Sequence, residues 1–164
     1  MNIFDTWGPN FHIKFEFKLL KPQGLGTLWR NIMHLTTGEN CCKIGSVIPG
    51  VWLLSNSTGT YFSVYLALTE NKESWTGLKL DINKWYKIEL HKRTDIFSLI
   101  VNGKYLWSVE SGNTEFKNVK WFQSDKWYQS AASEGDVSDN VIELKHFNIQ
   151  NGDTQLRFAG LFNL

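Results

Sequence analysis

The sequence predicts an all-β fold, an antiparallel β-sandwich, on three observations. Apolar residues recur with a period of two in several runs, and an Asn-Gly pair joins two of those runs. In addition, no stretch of about twelve residues keeps the apolar stripe and caps of a helix.

Each element follows from its local pattern. Phe11, Ile13, Phe15, Phe17 and Leu19 alternate with His12, Lys14, Glu16 and Lys18, which describes a long strand with one buried and one wet face. Tyr61 to Leu68 reads as another strand. Tyr86, Ile88 and Leu90 alternate with Lys87, Glu89 and His91. Phe97, Leu99 and Val101 run into Asn102-Gly103, and Lys104 to Val109 returns; both turn residues tolerate positive φ, so this is a hairpin. Val119 to Gln123 is a further strand, and Val141 to Ile149 is the last, with an alternation that slips near His146 and so predicts a bulge. Short strands at intervals of about 8–12 residues mean a sandwich or barrel, and the polar outer faces suit the open sandwich. The strand from Phe11 is expected to lie beside the one ending near Ile149. Pro9, Pro22 and Pro49 all stand beside turn residues, and no linker or repeat divides the chain, so residues 1–164 are expected to form one domain.

Composition narrows the function. A net charge of +1, from 17 basic and 16 acidic residues interleaved along the chain, gives no field that attracts nucleic acid. No apolar run is long enough to insert in a membrane, and the first residues do not resemble a signal peptide. The 8 Trp, 5 Tyr and 11 Phe are unusual, and aromatic residues serve both strands and contact surfaces. Asn56-Ser57-Thr58 is an N-glycosylation sequon in a turn-like stretch, with Asn56 the acceptor.

Catalysis finds little support. Glycoside cleavage needs carboxylates spaced across a glycosidic bond, but Asp136 and Asp139 are three apart in a Gly/Ser-rich loop, and Glu70 and Glu73 share a similar loop. His12 and His91 fall on polar strand faces. His34 interrupts the apolar run Ile32-Met33-His34-Leu35, just before Cys41-Cys42; a Cys-His pair would activate a thiolate, but a half-buried histidine with a backbone partner is the expected outcome. Adjacent cysteines do not suit tetrahedral zinc. Calcium, which needs several loop oxygens, has candidates in Asp125, Asp136, Asp139 and Asn140.

Binding is better supported. With only two cysteines in the chain, Cys41 and Cys42 can bond to each other, remain free thiols, or bond to another chain, and a vicinal disulfide presenting a recognition surface is expected. Trp127 and Tyr128 stand beside Asp125, and Trp29 and Arg30 follow Gln23-Gly24-Leu25-Gly26-Thr27. A loop Trp beside such polar groups stacks on a sugar's apolar face while its neighbours bind hydroxyls.

Two stretches, Asp81-Ile82-Asn83-Lys84-Trp85-Tyr86-Lys87-Ile88-Glu89-Leu90 and Phe97 to Gly103, together with the final strand, resemble a laminin-G-like, concanavalin A-like jelly roll over about residues 7–150. Trp29-Arg30-Asn31-Ile32-Met33-His34-Leu35-Thr36, Asn40-Cys41-Cys42, Gly45, Ile48-Pro49 and Ser124-Asp125-Lys126-Trp127-Tyr128 are similar to invertebrate extracellular modules with an Asn-Cys-Cys segment followed by Gly-Asp-Arg-Ile-Pro. Ser46 and Val47 stand here in place of that Asp and Arg, so a charged-ligand role of the loop is not carried over. The resemblance implies binding, by an extracellular or cell-surface recognition or adhesion module with a glycan or protein ligand; glycan-cleaving enzymes share the superfamily, and it is the missing carboxylate pattern that makes a lectin-like, non-catalytic module the expectation. Its expected ligand residues are Trp29, Arg30, His34, Asn40, Cys41, Cys42, Asp125, Trp127 and Tyr128. The alternatives are a structural or protein-interaction domain of a larger protein and a glycan-processing enzyme.

Overall fold

The alternating runs lie on two antiparallel sheets. The computed structural model describes residues 2–22, 28–39, 43–122, 142–158 and 162–163. In chain order the strands are β1 (Asn2–Trp7), β2 (Phe11–Leu19), β3 (Leu28–Thr36), β4 (Gly50–Asn56), β5 (Gly59–Leu66), β6 (Glu73–Lys79), β7 (Trp85–Arg93), β8 (Ile96–Val101), β9 (Lys104–Glu110), β10 (Phe116–Phe122), β11 (Ile142–Asn151), β12 (Thr154–Phe158) and β13 (Phe162–Asn163). No helix occurs among the described residues. One sheet has six strands in the order β1-β10-β3-β4-β5-β6, and the other has seven, β12-β11-β2-β7-β8-β9 with β13 also on β11.

The sequence-based pairing of the first and last long strands is correct: Ile149 lies opposite Ile13, and Asn151 opposite Phe11. The bulge near His146 is present too, as a register shift between Lys145 and Asn148, with His146 at φ 53°. Asn102 and Gly103 turn the β8–β9 hairpin at φ 50° and 79°, and the Asn102 Oδ1 accepts the Lys87 N–H at 2.9 Å. Other boundaries differ: the strand expected at Tyr61 to Leu68 is Gly59–Leu66, and the one at Val119 to Gln123 is Phe116–Phe122. Glu73, expected in a loop, opens β6. Trp29 and Arg30, also expected in a loop, lie inside β3, because the chain is already extended and paired with β4 from Leu28 onward.

Between the sheets, inward residues of both close an aromatic core. Phe17 of the seven-stranded sheet stacks on Phe62 of the six-stranded one at 5.5 Å and on Tyr86 at 5.6 Å, while Phe15 stacks on Phe147 at 5.3 Å. One end of the sandwich is tied by Asn151, whose side-chain oxygen accepts the Gly8 N–H and whose amide donates to the Thr6 carbonyl.

Candidate functional site

With the inner faces committed to the core, the outward side chains of the described strands stand on the two outer faces, and these differ in kind. On the seven-stranded sheet the outward side chains form charged ladders. Lys18 pairs with Glu143 at 2.7 Å, Lys145 with Glu16 at 3.4 Å and Lys14 with Glu89 at 3.4 Å. The ammonium of Lys145 also sits 3.8 Å from the centre of the Trp85 ring, a cation–π contact. These groups satisfy one another.

His12 and His91 do lie on this polar face, their rings 4.8 Å apart. The His12 Nε2 meets Glu89 at 2.9 Å. Burial lowers the His12 pKa below 6.5 and outweighs the raising effect of the Glu89 hydrogen bond. The contact is therefore a hydrogen bond from a neutral ring at pH 7, with the proton on Nε2, rather than an ion pair. For Glu16 and Glu89 burial acts upward, but hydrogen bonds from His146 and Lys145, and from His12 and Lys14, leave both pKa values lowered. The signs differ in their pH windows. Unfolded His12 binds a proton more readily than the folded form, so stability falls as pH drops from about 6.5 towards the lowered folded value. The two carboxylates stabilise the fold above about 4.5 and lose that contribution as pH falls through their own folded values. Urea midpoints taken from pH 7.5 to 5 should decline in the parent protein and decline less in His12→Gln; equal slopes would remove the role given to His12.

The outer face of the six-stranded sheet is built differently. Antiparallel register places three rows of side chains across β3, β4, β5 and β6. One row is Trp29, Leu54, Tyr61 and Lys79; the next is Asn31, Trp52, Ser63 and Thr76; the third is His34, Gly50, Tyr65 and Ser74. No carboxylate stands in these rows, and Lys79 at the margin is their one cation. A bulge in β3 between Asn31 and Met33 turns both Ile32 and Met33 into the core, so that Asn31 and His34 remain on the outer face.

A chain of ring contacts crosses the rows. His34 and Trp52 lie 5.4 Å apart, Trp52 and Tyr65 meet edge to face at 5.4 Å, and Tyr65 meets Trp29 edge to face at 6.0 Å. Trp52 and His34 are fully buried, whereas Trp29, Asn31 and Tyr65 are half-buried. The Trp52 ring lies over Gly50, whose missing side chain leaves it room. His34 donates its Nε2 proton to the Ser46 carbonyl at 2.7 Å, which ties β3 to the residues that lead into β4. The expected backbone partner of His34 is thus present, and its burial is complete rather than partial.

Of the sequence-predicted ligand residues, Trp29 and His34 share this face. Arg30 does not: it pairs with Leu53, on the core side of β3, so Trp29 and Arg30 point to opposite faces and cannot form one stacking site. Asn40, Cys41, Cys42, Asp125, Trp127, Tyr128, Asp136, Asp139 and Asn140 lie outside the described residues. Among the described residues, no group of three His, Cys, Asp or Glu is placed to hold a metal ion. Asn56 ends β4 at a two-residue turn, and its Oδ1 accepts the Thr58 N–H at 2.8 Å and the Thr58 hydroxyl at 2.6 Å. Asn31, Trp52 and Tyr65 were missed from sequence. Val51, Trp52, Leu53 and Leu54 are all apolar, so no alternation of polarity marks Trp52 as an outer-face residue.

No protein-family model matches this chain, and no curated protein sequence is detectably similar to it. Solved structures do match. A heptameric SAP-like pentraxin from Limulus polyphemus superposes with a TM-score of 0.53 at 8% identity, over 97% of this chain and 85% of its own. A PL7 alginate lyase from Zobellia galactanivorans gives 0.53 at 11% identity, over 90% of this chain and 65% of the lyase. An alginate lyase from Klebsiella pneumoniae gives 0.58 at 4% identity, over 89% and 61%. This chain thus spans less than two thirds of either lyase. At such identities the shared property is the fold, which is a concanavalin A-like jelly-roll sandwich.

Proposed function

We propose that this chain is a non-catalytic glycan-recognition module of an extracellular or cell-surface protein, and that its ligand lies on the outer face of the six-stranded sheet. The observation that carries this reading is the contrast between the two outer faces. One is covered by lysine and glutamate side chains that already neutralise each other. Across β3 to β6 the other carries Lys79 as its one charged side chain in the three rows, its further lysines, Lys117 and Lys120, standing apart on β10, and it presents two half-buried aromatic rings, Trp29 and Tyr65, beside amide and hydroxyl groups. Ring faces stack on the C–H faces of sugars, and neutral polar groups at their edges bind hydroxyls. Two solved structures that share the fold are named as alginate lyases, and alginate is a polyuronate, so they support a glycan as the broad ligand class without assigning the sugar or the reaction. The three rows hold no carboxylate, and their histidine is fully buried, so among the described residues these rows carry no exposed acid–base pair.

A glycan array, read with and without added calcium, tests this directly, followed by titration calorimetry of the best neutral glycan. Trp29→Ala and Tyr65→Ala are each expected to weaken binding about tenfold, equivalent to about 1.4 kcal/mol. Lys87→Ala, on the opposite face, should leave it unchanged. Failure of any glycan to bind at millimolar concentration would replace this reading with that of a protein-interaction domain, and turnover of a bound glycan would replace it with that of an enzyme.

A further inference from the structure

We propose that Asn31 selects the ligand of this face, and that the ligand is a neutral sugar presenting two adjacent hydroxyls. The inference rests on the glycan reading above and adds to it the chemical class of the sugar and the residue that reads it.

Asn31 occupies the middle row of the outer face, directly opposite the fully buried Trp52, and follows Trp29 on the same face of β3. Its Nδ2 and Oδ1 are both shut off from solvent, and neither has a hydrogen-bond partner among the described residues. A carboxamide offers two donors and two acceptor lone pairs. Buried groups of this kind are almost always paired, because leaving them unpaired forfeits the hydration they had in the unfolded chain. Stability alone would favour leucine here, a side chain of similar size with nothing to satisfy. An asparagine that costs stability at the centre of an aromatic face is accounted for by what it binds.

The rest of the geometry defines that partner. The residue as a whole is only half-buried although its amide atoms are sealed, and binding then requires a rotation about its own side-chain bonds that turns the amide towards the ligand. The amide presents one donor and one acceptor side by side. A pair of adjacent hydroxyls matches it, one donating to Oδ1 and the other accepting from Nδ2. Trp29, two residues earlier on the strand, supplies a ring for the sugar's apolar face. Uronates and sulfated sugars are disfavoured, because no guanidinium stands in the three rows and their one ammonium, Lys79, lies at the edge strand β6.

The test uses a panel of methyl glycosides, neutral and uronic, followed by the two monodeoxy forms of the best binder. The parent protein is expected to bind a neutral glycoside and to lose at least tenfold in affinity when either adjacent hydroxyl is removed. Asn31→Leu and Asn31→Asp should each lose at least tenfold towards the intact sugar, and Asn31→Leu should no longer distinguish the deoxy forms. The melting temperature of Asn31→Leu should be equal to or above that of the parent, which separates a binding role from a structural one and shows that the variant is folded. Parent-like affinity in both variants, or a melting temperature lowered together with undiminished binding, would overturn the inference and leave the glycan face standing. Preference for a uronate would overturn the sugar class. Absence of binding to any glycoside by the parent protein would remove the underlying reading, and this inference with it.

Discussion

Replacing Phe17 with alanine is expected to lower the free energy of unfolding by about 4 kcal/mol, among the largest effects of any single truncation in the chain. Phe17 has no solvent exposure and stands where the two sheets meet, stacked on Phe62 from across the core and on Tyr86 from its own sheet. Three rings in mutual contact cannot collapse into the space one of them leaves, because each of the others is held by a separate strand: Phe62 by β5 and Tyr86 by β7. The loss therefore combines the transfer free energy of the ring with a retained cavity. Urea unfolding followed by tryptophan fluorescence should show a lower midpoint with an unchanged denaturant slope. Ile96→Ala provides the contrast: Ile96 is 43% exposed, and its loss should change stability by less than about 0.5 kcal/mol. Similar losses from both variants would mean that the aromatic stack is not the centre of the core.

How much of this was legible in the sequence depends on which strands have one wet face. β2, β7 and β11 each carry a charged outer side, so the period of two shows through as Phe, Ile and Leu against Lys, Glu and His. That β2 lies beside β11, and even the bulge at His146, could be read in advance, whereas the pairing of β2 with β7 could not. β4 is different. Gly50, Val51, Trp52 and Leu53 are all buried, Val51 and Leu53 in the core and Trp52 beneath the outer face, so alternation of polarity disappears where burial is on both sides. β3 was hidden for a second reason: its bulge places Ile32 and Met33 on the same side and breaks the period at the point where His34 follows. The candidate site lies across these two strands, which is why Trp29 and His34 were singled out only as isolated residues and why Arg30 was wrongly joined to Trp29. The register of β3 on β4, which assembles the rows, is a long-range property that no local pattern contains.

The same face supplies the other large expected effect. Gly50→Ala should cost about 3 kcal/mol, at the upper end for overpacking by one methyl group. A Cβ at Gly50 would fall inside the van der Waals envelope of the Trp52 ring and within 2.9 Å of the Val47 side chain. Trp52 cannot swing aside easily, since it is fully buried and its ring meets Tyr65 on one flank and His34 on another. His34 is in turn fixed by its hydrogen bond to the Ser46 carbonyl. Truncating the ring, Trp52→Ala, should itself cost about 3–5 kcal/mol. It would also make room for the methyl group, so Gly50→Ala introduced into Trp52→Ala should cost less than about 1 kcal/mol. The double-mutant cycle then gives a coupling of at least about 2 kcal/mol, large enough to separate from the additivity expected of independent sites. Additive losses would show that Gly50 is required for some other reason than its contact with Trp52. A glycan titration on the single Gly50→Ala variant links this packing to recognition: Tyr65 is positioned by Trp52 and itself meets Trp29, so displacing the buried ring should weaken glycan binding even though Gly50 offers a ligand no side chain.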